Sequence, residues 1–315
     1  MAPDSAQLPY AKAAPITLAA AHAVRAARVA DSATLIDRLT RELLVAAPTA
    51  DSVTESLARV VILNPKSLRP DAGDRHVIYI HGGAYILGAP ADATGVLLAD
   101  ALGLPVHSID YSLSPEAVFP QAIGECVDAY LAIVERFGPE VVVVGVSAGG
   151  SLALSLVQRL QATGAPLPHA LALVTPWSDL APIGDTYESN EGRDPIIRWN
   201  GQLDEAAAAY AGVAPYDDPL VSPIYADYDA SFPPSIITCG TSDLFLSNCV
   251  RLYWKLRRSG ARTELLVWEG MWHAFLSDPE MDEAKECRTE IAEFLWRQLE
   301  ADSEYVVESS SAGRG

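Results

Sequence analysis

A serine, an aspartate and a histidine stand in this chain where acyl-transfer chemistry would need them. Ser147 lies in GVSAGG, residues 145–150, directly behind the valine run 141–144. A hydroxyl is a weak nucleophile until a neighbouring base takes its proton, and that base needs a carboxylate to hold its tautomer. Of the six histidines, His22 falls in an N-terminal helical pattern, and His76, His107 and His169 fall at or in apolar runs that read as strands. His81 precedes a glycine pair and reads as support for that loop. His273, in EGMWHAF, stands in a loop behind the last apolar run and is the candidate base. Asp243, in CGTSDLF, follows the preceding run and is the candidate acid.

The glycines around the serine fit the same chemistry. A G-x-S-x-G that ends a strand and opens a helix forces a sharp turn with the hydroxyl exposed, and side chains at Gly145 or Gly149 would collide with the adjoining strand and helix. The new helix aims its first amides at a developing anion. A second stretch, His81-Gly82-Gly83-Ala84-Tyr85, also closes an apolar run. Amides of Gly82, Gly83 or Ala84, with that of Ala148, are expected to form an oxyanion hole.

Such groups need a scaffold that brings strand ends together. From about residue 60, seven short apolar runs (59–64, 76–81, 105–111, 141–146, 170–177, 235–240 and 264–270) alternate with helical patterns at 121–137, 149–162, 246–258 and 282–299. That alternation predicts an α/β fold with a mostly parallel central sheet flanked by helices. Two segments break it: residues 1–50, and 178–216, where DTYESNEGRDPIIRWN interrupts the pattern and DEAAAAYA resumes a helix. An insertion behind a core strand is a natural lid over a cleft. The expected division is 1–50 and 178–216 as a cap, 51–177 and 217–299 as the catalytic core, and 300–315 as a polar, disordered tail.

Composition narrows the partners. In 315 residues, 41 acidic against 22 basic side chains give −19, which argues against nucleic acid and anionic membranes. No window has the length of a transmembrane span, and the apolar stretch 13–23 lacks the positive flank of a signal peptide and reads as an amphipathic helix. The four cysteines, Cys126, Cys239, Cys249 and Cys287, show neither disulfide nor zinc spacing, so a reducing cytoplasm is the simplest setting. No metal or cofactor is required.

HGGAY, DYSLSPEAVFP, GVSAGG, TPWSDL, SDLFLSN and MWHAF, in that order, resemble the bacterial hormone-sensitive-lipase-like (family IV) esterases of the α/β-hydrolase superfamily, over roughly residues 50–299. The chain order Ser147, Asp243, His273 is the one an α/β-hydrolase uses. The resemblance implies a helical cap and a carboxylic-ester hydrolase working through a Ser-His-Asp triad and an acyl-enzyme on short- to medium-chain esters. Lactone hydrolysis or amidase/peptidase action on the same triad stay open, and a ligand receptor of the same fold is opposed by the intact triad. Substrate contacts are expected from Tyr85, Trp177, Tyr187, Trp199 and Trp272. Dimers through the last strands are common among similar proteins, so a homodimer is a further expectation. The chain departs from the family pattern at four positions: Val146 stands for an aspartate, Ala84 for a third glycine, Ser112 for an arginine and Ser247 for a second acid.

Overall fold

The structure, a computed structural model, describes residues 17, 19, 20, 43–46 and 58–311. His22, most of the helix expected at 13–23 and most of the expected N-terminal cap share, 1–50, lie outside the described residues.

Among the described residues, eight strands form one sheet in the order β1-β2-β4-β3-β5-β6-β7-β8. They are β1 (Leu43–Ala46), β2 (Ala58–Leu63), β3 (His76–Ile80), β4 (Val106–Asp110), β5 (Val141–Val146), β6 (Leu171–Val174), β7 (Ser235–Gly240) and β8 (Thr263–Trp268). β1 and β2, and β2 and β4, pair antiparallel; every pairing from β4 through β3 to β8 is parallel. The helices are α1 (Ala93–Leu102), α2 (Gln121–Phe137), α3 (Ala148–Thr163), α4 (Thr186–Ser189), α5 (Asp204–Ala211), α6 (Leu246–Arg258) and α7 (Asp282–Ser311).

The valine run shows why the parallel strands carry unbroken apolar stretches. Val141 and Val143 enter the core built with α2, α3 and α6, whereas Val142 and Val144 enter the core built with α1 and α7. With both faces covered, no position of β5 can be polar without a buried partner. Each fully buried valine contributes about 1.5–3 kcal/mol relative to exposure, as an upper figure. α7 is joined to α1 by the Trp296 indole, which donates to Leu102 O at 3.0 Å.

Two boundaries differ from the sequence expectation. β1 adds a strand inside residues 1–50, with Leu43 opposite Val61 and Ala46 opposite Ala58. Four residues are too few to show a period, so this strand is legible only through its partner. The tail expected to be disordered from residue 300 instead continues α7 to Ser311. No glycine or proline interrupts residues 282–311, so nothing there breaks a helix. Among the described residues, no helix is long and apolar enough to cross a membrane.

Two buried histidines tie this packing to pH. His107 Nε2 lies 2.9 Å from His76 Nδ1, and burial, with the His76 and Arg136 charges adding to it, pushes His107 down to about 3. Burial likewise pushes His81 down to about 4, partly opposed by Gly82 O. In the unfolded chain both titrate near 6.5. Between those folded values and 6.5 the unfolded state binds more protons, so stability is full above pH 6.5 and falls as the pH drops below it, by up to ~1.4 kcal/mol per pH unit per histidine. Urea unfolding at pH 7.5 and pH 5 is expected to show a lower midpoint at pH 5; equal midpoints would mean that the buried rings hold their charge.

Candidate active site

Ser147 occupies the turn between β5 and α3 with φ 55° and ψ −117°, a strained backbone for a residue with a Cβ. The surroundings hold it there. Ser147 N–H donates to Val174 O at 2.8 Å, and Ser147 O accepts from Gly150 N–H and Trp177 N–H, each at 3.0 Å. A methyl on Gly145 would overlap Gly149 O, and one on Gly149 would overlap Ile80 O, so both glycines are required by close backbone approach. Gly150 and Ser151 turn their amides back on Ser147 O. The amides ahead of them, those of Ala148 and Gly149, have no carbonyl one turn earlier in the helix.

The same close approach puts the glycine loop behind β3 beside the serine. A Cβ on Gly82 would stand 3.2 Å from Ser147 Cβ and 3.0 Å from Val146 O. Gly83, Ala84 and Tyr85 follow with φ of 116°, 53° and 62°. Two of those three carry side chains in a region that favours glycine, so the loop is strained as well. His81 is its brace. Its ring stacks on Tyr111 with centroids 4.2 Å apart, its carbonyl accepts from the Tyr111 hydroxyl at 2.9 Å, and its Nδ1 lies 2.8 Å from Gly82 O. A carbonyl can only accept, and a ring titrating near 4 is neutral at pH 7, so Nδ1 carries the proton. A neutral ring spent on its own loop is not a base for Ser147.

Asp243 and His273 meet at the ends of β7 and β8. Asp243 is fully buried, and its Oδ1 accepts from Phe245 N–H at 2.8 Å and lies 3.2 Å from His273 Nδ1. Burial pushes the Asp243 carboxyl up; His273 and the Phe245 amide oppose that, and the Asp194 charge adds to it. His273 is 4 % exposed and meets Phe245 edge-on at 5.1 Å. Phe245 stacks in turn on Trp177 at 5.4 Å, the residue whose amide is bonded to Ser147 O. Packing therefore runs without a break from the base candidate to the serine turn.

The five expected substrate contacts fare unequally. Tyr85 and Trp177 are buried in the core. Tyr85 stacks on Tyr210 at 3.6 Å, both rings are below 2 % exposed, and neither offers surface to a ligand. Tyr187 is buried too, its hydroxyl accepting from Asn248 Nδ2 at 2.9 Å. Trp199 is half-buried and edge-on to Tyr187 at 5.5 Å, and these two share an open pocket of about 400 Å3 with Glu188 and Glu191. Trp272 is half-buried beside the base. A larger hollow of about 720 Å3 lies between Arg59 and the 110–121 segment, and neither hollow is lined by Ser147, Asp243 or His273.

The departures from the family pattern have local partners. Ser112 donates both N–H (2.6 Å) and hydroxyl (2.7 Å) to the buried Glu125 carboxylate. Ser247 and Thr186 bond reciprocally, amide to hydroxyl, at 3.0 and 3.2 Å. Val146 is buried, and a Cβ on Gly82 would stand 3.5 Å from its Cγ1.

Sequence reasoning missed the carboxylate nearest the base from the other side. Asp194, in the 178–216 insertion, accepts the His273 amide at 3.0 Å and the Leu244 amide at 3.4 Å. Asn190 donates to Thr241 O at 3.1 Å and Asp243 O at 2.9 Å. The only local signal was the Asp-Pro pair, which marks a turn and says nothing about a partner 79 residues away. Among the described residues there is no cluster of three or more histidines, cysteines or carboxylates placed to hold a metal ion.

Known proteins share this architecture. Residues 77–277 match the family described as alpha/beta hydrolase fold. An acetyl-hydrolase of Streptomyces hygroscopicus is 32 % identical over 213 residues, covering 66 % of this chain and 71 % of that protein. An esterase of Acinetobacter venetianus is 30 % identical over 230 residues, 69 % of this chain and 73 % of that one. A solved structure of an esterase from the bacterial hormone-sensitive lipase family superposes with a TM-score of 0.73 at 27 % identity, covering 84 % of this chain and 89 % of that one. The chain belongs to the α/β-hydrolase-fold family and, within it, to the bacterial hormone-sensitive-lipase-like esterases.

Proposed function

We propose that the chain hydrolyses carboxylic esters with Ser147 as nucleophile, His273 as general base and acid, and Asp243 as the group that fixes the imidazole. The observation that carries this reading is the buried Asp243–His273 contact at 3.2 Å, reached by continuous packing from a strained serine turn. With Asp243 on Nδ1, the other ring nitrogen is the one left to serve the serine.

His273 Nε2 takes the Ser147 proton as Oγ bonds to the ester carbonyl carbon, and the carbonyl electrons move to oxygen. The amides of Ala148 and of the Gly82–Ala84 loop stabilise that oxyanion, each donor supplying about 3–4 kcal/mol. His273 then gives the proton to the departing alcohol as the C–O bond breaks, leaving an acyl-enzyme. Water, deprotonated by the same nitrogen, attacks the acyl carbon, and Ser147 regains its proton as the acid leaves. Residues 178–216, bonded to the Asp243 and His273 loops through Asn190 and Asp194, serve as the cap.

Short acyl groups fit best. Ser147 is 6 % exposed, and the stacked pairs Tyr85–Tyr210 and Trp177–Phe245 are filled core rather than open pocket. The Ala84 methyl takes the place of a hydrogen in the oxyanion loop. Two similar proteins are named acetyl-hydrolases.

Ser147→Ala and His273→Gln are each expected to abolish turnover of p-nitrophenyl acetate with the circular dichroism spectrum intact; wild-type turnover in either would remove that residue from the mechanism. Gly82→Ala is expected to lower kcat/KM by about 100-fold, because the methyl must push the oxyanion loop away from Ser147. Across acyl chains, lactones and anilides assayed side by side, the acetyl and butyryl esters are expected to be fastest, and a faster lactone or anilide would reassign the substrate class.

A further inference from the structure

The insertion after β6 reaches back onto both loops that carry the acid and the base, and Asp194 is where it touches them together. Its Oδ2 accepts the amides of His273 (3.0 Å) and Leu244 (3.4 Å), and its Oδ1 accepts those of Ile196 (2.8 Å) and Ile197 (3.2 Å). One oxygen thus joins the base residue itself to the residue directly after Asp243. The neighbouring bonds all run to the acid loop: Asn190 to Thr241 O and Asp243 O, and the Thr186 hydroxyl to Leu244 O at 2.8 Å. Asp194 alone among these side chains reaches the base.

We infer that Asp194 is a positioning residue for the base: by bonding the His273 and Leu244 amides with one oxygen, it sets His273 against the Asp243 loop and makes triad assembly depend on the docked insertion. This rests on the Ser147–His273–Asp243 reading above. The chemistry favours such a role over simple anchoring. Asp194 is buried, and its charge lies close enough to Asp243 to disfavour ionisation there. A second carboxylate in that position is costly unless donors offset it, and four main-chain amides do so. Lifting the insertion would leave the His273 and Leu244 amides without that acceptor in a buried setting. Residues 186–197 therefore behave as part of the catalytic frame and not as a lid that swings free.

The test compares Asp194→Ala and Asp194→Asn with wild type, measuring kcat and KM on p-nitrophenyl butyrate per mole of folded enzyme, with amide hydrogen exchange across residues 241–246 and 271–275. The alanine variant is expected to lose about 100-fold in kcat with a much smaller change in KM, the scale of an ångström-sized misplacement. Asn is expected to fall between, since its one amide oxygen can still accept from two of the four donors, and exchange at the His273 and Leu244 amides is expected to speed up in both. If the alanine variant does not fold, the asparagine variant carries the same comparison. Wild-type kcat in the folded variants, or a loss confined to KM, would overturn the positioning role. Ser147→Ala, run in parallel, separates the two failures. Turnover in that variant would sink the mechanism itself, whereas an inactive Ser147→Ala beside fully active Asp194 variants would sink only this inference.

Discussion

The close approach of Gly149 to the carbonyl of Ile80 governs the rest of the site. A single methyl on that glycine would overlap a backbone oxygen, so α3 can start this near β3 only because no side chain is present. Two results follow from the one contact. Ser147 is thrown into a turn at φ 55°, costing about 1–3 kcal/mol, which the bonds to Val174 O and from Trp177 N–H and Gly150 N–H keep in place. The loop after β3 is brought alongside, with Gly82 near van der Waals contact with the serine Cβ. The Ser147 turn and the glycine loop after β3 are thus spaced by the same packing event and cannot be tuned independently.

The sheet order then supplies the remaining partners. β5, β6, β7 and β8 are consecutive and parallel, so their C-terminal ends open on one edge. Thr175 N–H bonds Thr238 O across β6 and β7, and Ser242 N–H bonds Met271 O across the loops beyond β7 and β8, at 2.7 and 2.9 Å. The turns carrying Ser147, Asp243 and His273 are therefore extensions of a hydrogen-bonded ladder. Phe245, beside Asp243, meets both Trp177 and, in the insertion, Tyr187, at 5.4 and 6.1 Å. Burial raises the cost of the Asp243 charge, and it also strengthens its interaction with His273.

Much of this was legible in the sequence, and the boundary of legibility is physical. The β5 run, the glycines of the elbow and helices α2 and α6 could be read because each is dictated by local rules: continuous apolar burial, a backbone collision, a three- and four-residue period. Strand ends carrying Ser147, Asp243 and His273 could be ordered along the chain for the same reason. The burial of Tyr85 and Trp177 could not be read locally, because an aromatic beside such a loop has the same signature whether it faces a pocket or a core. β1 and the end of α7 were missed because one depends on a partner strand and the other on an uninterrupted run that a serine-rich ending disguised. Asp194 showed nothing beyond an Asp-Pro turn signal, since its meaning lies in amides contributed by two distant loops.

The four departures from the family pattern show how the same frame is kept by different bonds. Where an arginine is usual, Ser112 caps Glu125 with two short bonds, so the buried carboxylate is satisfied without a compensating charge. Where a second acid is usual, Ser247 trades bonds with Thr186 and fastens the insertion to α6. Val146 replaces a polar contact near the elbow with an apolar one, its Cγ1 facing Gly82. An apolar contact keeps the loop close but does not orient it. Orientation of the glycine loop after β3 must then come from directional bonds elsewhere, and the His81 ring and the Tyr111 hydroxyl provide them. In this chain the neutral state of His81 is accordingly part of the geometry of the loop after β3, because a charged ring could not stay buried against Tyr111 with a single carbonyl as partner.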